Sequence, residues 1–303
     1  MKQQNILVIG SSNTDMVIRS SHLPAPGETI LGGSFMMNAG GKGANQAVAA
    51  AKLNGAVTFI ARLGADVFGQ QAMVDWQELG IQTDYIVTDS DNPSGIALIL
   101  VDQKGENCIS VALGANAALV PHDINQAVNA VDAADYLLMQ LEVPLETVVH
   151  AAHLAKQGGA KIVLNPAPAQ ALPDELLREL SIITPNQTEA ELLTGIAVND
   201  LDSAAHAAAY LRQKGVQTVI ITMGAQGAYV QSENLEELIP APKVQTVDTT
   251  AAGDTFNGAL VVALAEGRPL QEAIRFANAA AAYAVTQPGA QASTPLRHQI
   301  ITG

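Results

Sequence analysis

The chain has 303 residues, enough for one large α/β domain or two smaller ones. Hydrophobic residues make up 48% of it and aromatic residues only 4%, which predicts an aliphatic, alanine-rich core. A net charge of -14 disfavours nucleic acid and anionic membranes as partners, because the overall field repels polyanions. The single cysteine, Cys108, excludes an intrachain disulfide and a four-thiolate zinc site. A cytoplasmic protein is expected, because residues 1–4 contain no signal-peptide core and no apolar run reaches membrane-spanning length.

Short apolar runs alternate along the chain with segments of helical period. Strands are predicted at 5–10, 57–61, 136–139, 161–164, 181–184 and 218–222. Helices are predicted after Gly41 and at 66–79, 145–157, 202–214 and 256–264. This alternation predicts a three-layer α/β sandwich, with a mostly parallel central sheet covered by helices on both faces. Ligands of such sheets bind beyond the carboxyl ends of the strands.

Two stretches, 16–38 and 94–113, interrupt the alternation. They contain strand-like runs at 29–31, 95–101 and 107–111 with no helix between the strands of either stretch. We interpret them as a small antiparallel sheet that projects from the core, formed by about 14–38 and 94–113 of a single domain spanning 1–303. Such a sheet could close over a substrate as a lid or pair with a second subunit. The alternative is an edge extension of the main sheet.

The most informative segment is 248–258, where small residues and Gly253 precede an apolar-periodic stretch. This pattern predicts a helix start whose first N–H groups are uncrowded, and the partial positive charge there favours an anion. Asp254 in the same turn would repel a resting anion, which favours a role as a base in transfer of a charged group onto a hydroxyl. The alternative is an ordinary first-turn acid stabilised by the helix dipole.

Polar residues after the first predicted strand suggest a sugar site. Asn13 and Asp15 are spaced by two, so in an extended segment they project to the same side, where they could bind neighbouring hydroxyls. A turn or a helix cap is the alternative role. The segment 38–46 carries three glycines with Lys42 and Asn45 before a helix, which favours close approach of the backbone to a ligand with negative charge. A plain loop-to-helix connection is the alternative, but it would not require Lys42 and Asn45.

Two later loops suggest a nucleotide. Asn186 and Glu189 lie three apart and could hold a hydrated magnesium ion, although a capping box with Asn186 as the N-cap explains the spacing nearly as well. The segment 222–227 leaves a strand through two glycines and could admit phosphates, or could be a simple hairpin turn.

Segments 40–46 and 248–254, in this order, resemble the ribokinase family, within the wider group of carbohydrate and nucleoside kinases of that fold. The resemblance runs from the first strand to Ser293. It implies ATP-dependent phosphorylation of the 5-hydroxyl of D-ribose, to give ribose 5-phosphate and ADP. It also implies that Asp254 is the catalytic base and that the N–H groups of Ala251, Ala252 and Gly253 form an anion hole.

The remaining site residues that the resemblance implies fall into three groups. The sugar-binding positions are Asn13, Asp15, Gly41, Lys42, Asn45, Glu142 and Asp254. The nucleotide-binding positions are Asn186, Thr222, Gly224, Gly227, Gly253 and Asn278, with Glu189 acting indirectly on Mg2+. The positions for an activating K+ are Asp248, Thr250, Ala284, Gln287, Gly289 and Ser293, where much of the shell would be backbone carbonyl.

The resemblance further implies a homodimer formed through the lid sheets. The nearest alternative function is a sibling kinase for 2-deoxyribose, fructose or a nucleoside. Asn13 and Asp15 together favour a vicinal diol, and a lid whose only aromatic residue is Phe35 disfavours a stacked nucleobase. A sugar-sensing protein without catalysis is the alternative of another class, but it would need neither Asp254 nor the glycines before it.

Overall fold

The computed structural model describes residues 4–300. The strands are Asn5–Ile9 (β1), Asn13–Arg19 (β2), Ser34–Gly40 (β3), Ala56–Ile60 (β4), Arg62–Gly64 (β5), Val87–Asp89 (β6), Gly95–Val101 (β7), Asn107–Ala112 (β8), Tyr136–Met139 (β9), Lys161–Leu164 (β10), Ile182–Ile183 (β11), Thr218–Thr222 (β12), Ala228–Gln231 (β13) and Glu236–Ile239 (β14). The α-helices are Lys42–Lys52 (α1), Val67–Glu78 (α2), Pro121–Gln126 (α3), Val128–Asp132 (α4), Leu145–Gln157 (α5), Asp174–Glu179 (α6), Gln187–Thr194 (α7), Leu201–Gln213 (α8), Ala252–Ala265 (α9) and Leu270–Ala284 (α10). The expectation about a signal peptide concerns mainly residues 1–3, which lie outside the described residues.

The main sheet has eight strands in the order β14-β13-β12-β11-β10-β9-β1-β4. All neighbours from β4 to β12 pair in parallel, and β13 and β14 add two antiparallel strands at one edge. The prediction of a mostly parallel sheet is therefore confirmed. The patterns did not predict β13 and β14, nor the small parallel pair β5 and β6.

Alternate residues of the strands enter two separate cores. In β1, Leu7 and Ile9 pack in a cluster with helices α3 to α8, whereas Ile6 and Val8 pack in a second cluster with α1, α2, α9 and α10. Because side chains of a strand alternate between faces, these two clusters lie on opposite sides of the sheet. The predicted three-layer sandwich is confirmed.

A second sheet, which we call the lid sheet, has the order β3-β2-β7-β8. Its prediction as an antiparallel sheet is wrong, because β2 and β7 pair in parallel. Strand β2 begins at the core at Asn13 and strand β7 at Gly95, and both run outward side by side. Strand β3 then returns antiparallel to β2, and β8 returns antiparallel to β7. Two hairpins that leave the core in the same direction therefore join through their first strands.

The predicted strand at 29–31 is also wrong. Ser34 of β3 pairs with Arg19, the last residue of β2, so residues 29–31 have no neighbouring strand and are irregular. Leu31 is 91% exposed, so its apolar character reflects no burial there. Within residues 4–300, no helix is both long enough and apolar enough to cross a lipid bilayer.

Helices α1 and α9 approach closely enough for their backbones to meet. A Cβ atom at Gly258 would lie 2.6 Å from the Cβ of Ala49 and 2.8 Å from the carbonyl oxygen of Gln46. Only glycine fits at this crossing without moving one of the helices. The close contact brings the first turns of the two helices together above the end of the main sheet.

Candidate active site

Polar residues, some of them predicted from the sequence and others not, collect at the carboxyl ends of the parallel strands. Ser11 follows β1, Gln140 and Glu142 follow β9, and Asn165 follows β10. Thr184 follows β11, and Thr222 ends the neighbouring strand β12. The first turns of α1 and α9 lie over this edge, so residues far apart in sequence converge on one site, as expected for an open parallel sheet.

Asp254 lies in the first turn of α9 and is 6% exposed. Its Oδ2 accepts a hydrogen bond from Asn45 Nδ2 at 2.9 Å, and its Oδ1 accepts one from Gln46 Nε2 at 2.9 Å. Burial raises the pKa of this carboxyl group, against the lowering effects of Lys42 and of the two amide donors. The group is therefore a buried carboxylate with increased proton affinity, which is the property of a general base.

Asn45 has a second polar atom that faces no partner. Its Oδ1 is buried, and no group within residues 4–300 donates to it. An unpaired buried acceptor beside a carboxylate fits a ligand that brings a hydroxyl donor, because leaving it unpaired costs stability.

Glu142 is held at the start of α1. Its Oε2 accepts hydrogen bonds from the backbone N–H of Lys42 at 2.9 Å and from the hydroxyl of Ser11 at 2.5 Å. Burial would lower the pKa of the Lys42 ammonium group, but Asp254, Glu142 and Glu189 together raise it. Lys42 therefore carries its positive charge in a site that contains several acids.

Asn13 and Asp15 lie on β2 and project to the same face of the lid sheet, as predicted. The Oδ1 of Asn13 accepts a hydrogen bond from Asn116 Nδ2 at 2.9 Å, so the orientation of its amide is fixed. The pKa of Asp15 is raised to about 6, first by burial and then by Glu142 and Asp254. The carboxylate of Asp15 lies against Gly40, two residues before the start of α1, and Asn45 of that helix bonds to Asp254, so both acids belong to one site.

The N-terminus of α9 offers backbone donors. Ala251 is the N-cap, in the left-handed region with φ 57°, and the N–H of Ala252 bonds weakly to the carbonyl of Thr249 at 3.3 Å. The N–H groups of Ala251 and Gly253 have no recorded acceptor within the described residues. Gly253 is exposed and its missing side chain leaves open space, so an anion can approach these donors.

The residues predicted to bind a nucleotide lie along the neighbouring strand ends. Asn186 and Thr222 form a parallel bridge, and Asn186 also caps α7 in a capping box with Glu189. The capping alternative is therefore present, and it uses Oε2 of Glu189 as the acceptor. Burial raises the pKa of Glu189. This carboxylate fits an indirect role toward a hydrated Mg2+, because the waters on the ion can donate hydrogen bonds to it.

The 222–227 segment is the turn between antiparallel strands β12 and β13, so the hairpin alternative is also present. Gly224 lies in an exposed turn, whereas Gly227 packs against the backbone of Ile239. Asn278 Nδ2 donates to the carbonyl of Ile239 at 2.9 Å. Gly227 and Asn278 therefore border the same short stretch of chain.

The residues predicted to bind K+ lie on two loops that Asp248 joins. Its Oδ2 accepts from the N–H of Gly289 at 2.9 Å, and its Oδ1 accepts from both the N–H and the hydroxyl of Thr250. Ala284 ends α10, and its carbonyl accepts a hydrogen bond from the N–H of Gln287 at 3.0 Å. The exposed side chain of Gln287 donates to the hydroxyl of Thr286, and Ser293 is buried in the second loop. Carboxylate and carbonyl oxygens on joined loops fit a weakly hydrated monovalent cation.

The sequence patterns did not predict the buried residues that form hydrogen bonds to the site residues. Gln46 lay inside a recognised segment but received no role, and Ser11, Asn116, Gln140 and Asn165 lay in no recognised pattern. These five residues are buried and hydrogen-bonded to site residues or to each other. For Ser11, Gln140 and Asn165 the available signal was a polar residue within two positions of the end of an apolar strand, because such positions reach the ligand edge of the sheet. Gln46 in α1 and Asn116 carried no such signal.

Comparison with known proteins agrees with this arrangement. The model of the pfkB family carbohydrate kinases matches residues 3–297. The ribokinase of Haemophilus influenzae is 48% identical over 299 residues, covering 99% of this chain and 98% of that protein. The deoxyribokinase of Salmonella typhimurium is 38% identical over 292 residues, covering 96% and 95%.

A solved structure gives the same result for the fold. The Arabidopsis thaliana ribokinase complexed with ribose and ATP superposes with a TM-score of 0.92 at 33% identity, covering 99% of this chain and 98% of that one. The family model and these relatives extend over nearly the whole chain. The protein belongs to the pfkB family of carbohydrate kinases.

Proposed function

We propose that this protein transfers the γ-phosphoryl group of ATP to the 5-hydroxyl of D-ribose, giving ribose 5-phosphate and ADP. The observation that carries the proposal is the buried Asp254 carboxylate, held by two amide donors at the start of α9 beside the free N–H of Gly253. Full-length similarity to ribokinases supports ribose as the acceptor.

The proposed chemistry is an in-line transfer. Asp254 accepts the proton of the sugar 5-hydroxyl as the oxygen attacks the γ-phosphorus, and the bond to the bridging oxygen of ADP breaks. A base in this position contributes about 10²–10⁴-fold in rate. The N–H groups of Ala251, Ala252 and Gly253 stabilise charge on the phosphoryl oxygens, where one preorganised donor is worth roughly 10²–10³-fold.

Sugar recognition is assigned to the residues around that base. Asp15 and Asn13 bind neighbouring hydroxyls of the sugar, and the free Oδ1 of Asn45 accepts another. Gly41 and the main chain at Lys42 approach the sugar closely, while Glu142 presents its second oxygen. A carboxylate that binds two adjacent hydroxyls favours ribose over 2-deoxyribose, by tenfold or more for roughly 1.5–3 kcal/mol per bond.

The nucleotide is assigned to the strand ends next to this site. Asn186, Thr222, Gly224 and Gly227 line its path, Gly253 contacts the phosphates, and Asn278 lies toward the base. Mg2+ supplies charge neutralisation on the phosphates, with Glu189 acting through water. K+ is assigned to the loops that Asp248 joins, with Thr250, Ala284, Gln287, Gly289 and Ser293 as the remaining positions.

Partner and location complete the proposal. The lid sheet closes over ribose. It also pairs with a second copy of the chain, because one of its faces exposes a set of large apolar side chains: Ile18, Phe35, Met37 and Leu98. The chain forms a single domain spanning 1–303 in the cytoplasm. No role with nucleic acid or membrane is proposed for a chain of net charge -14.

A coupled ADP-release assay tests the proposal. Purified protein is given Mg2+ and ATP with D-ribose, 2-deoxyribose, fructose or a nucleoside, each with K+ and with Na+ instead, and ADP release without acceptor is the baseline. We expect the highest kcat/KM with ribose and a higher rate with K+. If 2-deoxyribose is the better acceptor, the sibling-kinase function holds; ribose binding without ADP release would indicate a sensor.

A further inference from the structure

We propose that Gln46 is a positioning residue for this reaction: it fixes the Asp254 carboxylate in the orientation that receives the hydroxyl proton. The inference rests on the proposed role of Asp254 as the base. Gln46 lies in α1 directly after the sugar-site residue Asn45, and its side chain is fully buried. It touches the carboxylate from the protein interior, so its effect on the substrate is exerted through Asp254.

The amide of Gln46 is satisfied on both sides. Its Nε2 donates to Asp254 Oδ1 at 2.9 Å and to Asn165 Oδ1 at 3.0 Å, and its Oε1 accepts from Gln140 Nε2 at 2.6 Å. Asn165 is oriented in turn, because its Nδ2 donates to the carbonyl of Thr184 at 3.1 Å. A flipped Gln46 amide would place its oxygen against two acceptor oxygens, so this network permits one orientation.

Two donors on different oxygens determine the plane of the Asp254 carboxylate. Asn45 holds Oδ2 and Gln46 holds Oδ1, so neither oxygen can rotate away without breaking a hydrogen bond to a charged group. Each oxygen keeps further lone-pair capacity for the substrate proton. Asn45 alone would leave rotation about the last side-chain bond unrestrained, because that torsion is broad.

Gln46 also affects the charge of the base. Burial raises the pKa of Asp254. The positive charge of Lys42 and the hydrogen bonds from Asn45 and Gln46 lower it, and the charge of Glu142 raises it. Without Gln46 the carboxylate is desolvated with one donor fewer. Asp254 therefore retains its proton to a higher pH, and it can act as a base over a narrower range of pH.

A purely structural role predicts a different outcome from a positioning role. If Gln46 only helped α1 and α9 to pack, its loss would lower stability and leave the pH dependence of phosphoryl transfer unchanged. The test therefore measures the single-turnover rate by chemical quench against pH, together with the Kd for ribose. Gln46→Met keeps a long unbranched side chain and removes the amide.

For Gln46→Met we expect a single-turnover rate lower by on the order of 10²-fold, as for a small misplacement of a reacting group. We expect the acidic limb of the rate profile to move about 1–2 pH units higher, the effect of one lost hydrogen bond to a carboxylate. The Kd for ribose should change by less than about threefold, since a threefold change is only ~0.6 kcal/mol. Thr147→Val is the matched control, because it removes a buried hydrogen bond to Leu119 on the other face of the sheet.

A wild-type pH profile in Gln46→Met, with a rate no lower than in Thr147→Val, would overturn the inference. If Gln46→Met does not fold, Gln46→Glu is used instead: it has the same shape but sets a second carboxyl group against Asp254, and we expect its acidic limb to move further upward. An unshifted limb there also overturns the inference. If Asp254→Asn is inactive but the acidic limb of the Gln46 variant does not shift, only the positioning role of Gln46 is refuted. If Asp254→Asn is active, both the role of Asp254 as the base and the inference about Gln46 are refuted.

Discussion

Asp254 shows how three neighbours can give one carboxyl group a chemical role. Burial alone would favour the protonated acid, which cannot accept a proton. Lys42, Asn45 and Gln46 favour the ionised form and hold it at the start of a helix whose N–H groups favour negative charge. In the proposed mechanism, the ionised Asp254 accepts a proton while the N–H groups at the helix end attract the phosphoryl group.

Replacing Asp254 by asparagine separates these two effects. Asp254→Asn keeps the shape of the side chain but cannot accept the proton, so we expect turnover to fall by ~10²-fold or more. Ribose binding, measured by calorimetry, should remain within a few-fold of wild type. Asp200→Asn is the control, because Asp200 is an N-cap of α8 and asparagine caps equally well. Near-normal turnover in Asp254→Asn would rule out the assigned base.

Residue-scale predictions from sequence succeeded where a motif fixed the local backbone. Asn13 and Asp15 share a face because they are two apart on a strand, and Asn186 caps α7 because its spacing to Glu189 fits a capping box. The contact between Gln46 and Asp254 spans 208 residues of sequence and follows no local rule.

At the scale of elements, the crossing of α1 and α9 determines whether the site forms. Helix α1 carries Asn45 and Gln46, and α9 carries Asp254, so the distance between the helices sets the hydrogen bonds to the base. Gly258 sets that distance, because its missing side chain lets Ala49 and the Gln46 carbonyl approach.

Adding one methyl group at this crossing should therefore damage function. We expect Gly258→Ala to lower the melting temperature and to lower kcat by about tenfold or more, because the added carbon forces α1 away from Asp254. Circular dichroism and the ADP-release assay measure the two effects. Gly158→Ala is the control, since its added carbon meets atoms only at 3.5 Å or beyond. Equal activities of the two variants would contradict the assigned role of the crossing.

One face of the lid sheet is apolar and exposed. Phe35 pairs with Ile18 across β3 and β2, and Leu98 pairs with Met16 across β7 and β2, so the apolar residues lie on one face. Leu98 is 55% and Phe35 60% exposed in the single chain. A contiguous exposed apolar face of this kind is typical of an interaction surface.

A charge on that face should separate the proposed dimer. We expect Leu98→Asp to elute as a monomer in size-exclusion chromatography with light scattering, whereas the wild-type chain elutes as a dimer, because burying an unpaired carboxylate is costly. Leu201→Asp is the control, an exposed first-turn position of α8 where an acid is tolerated. A monomeric wild-type protein would exclude the proposed dimer.

At the scale of the whole molecule, the fold holds several carboxylates close together, and their mutual repulsion lowers its stability. Asp15, Glu142 and Asp254 interact with one another across residues distant in sequence, and burial together with the other acids raises the pKa of Asp15 to about 6 from 3.8. Between these two values the folded state binds more protons than the unfolded chain. The free energy of unfolding therefore falls as pH rises through this window.

Removing that charge should stabilise the protein without ligand. We expect Asp15→Asn to raise the free energy of unfolding at pH 7.5 by about 1–3 kcal/mol, with the difference vanishing near pH 4. Denaturant titrations at several pH values measure this, and the same variant should bind ribose more weakly. The exposed Asp84→Asn serves as the control. An Asp15→Asn protein no more stable than wild type at pH 7.5 would show that Asp15 carries no such strain.

Local periodicity in the sequence was enough to predict the layers of this fold. Apolar runs of four to six residues alternating with helical patterns required a parallel sheet with two covered faces, and the carboxyl ends of its strands located the ligand edge. Spacing predicted the helix start at Asp254 and offered the capping box at Asn186 as the alternative to a magnesium role, because both features depend on residues within one turn.

Tertiary structure decided what depends on distant partners. The parallel pairing of β2 with β7 follows from two hairpins leaving the core in one direction, and residues 29–31 are irregular because no neighbouring strand reaches them. The hydrogen bonds that hold Asp254 depend on how closely α1 and α9 cross. Such contacts are set by packing across the whole core, whereas a sequence pattern reports only the faces of its own element.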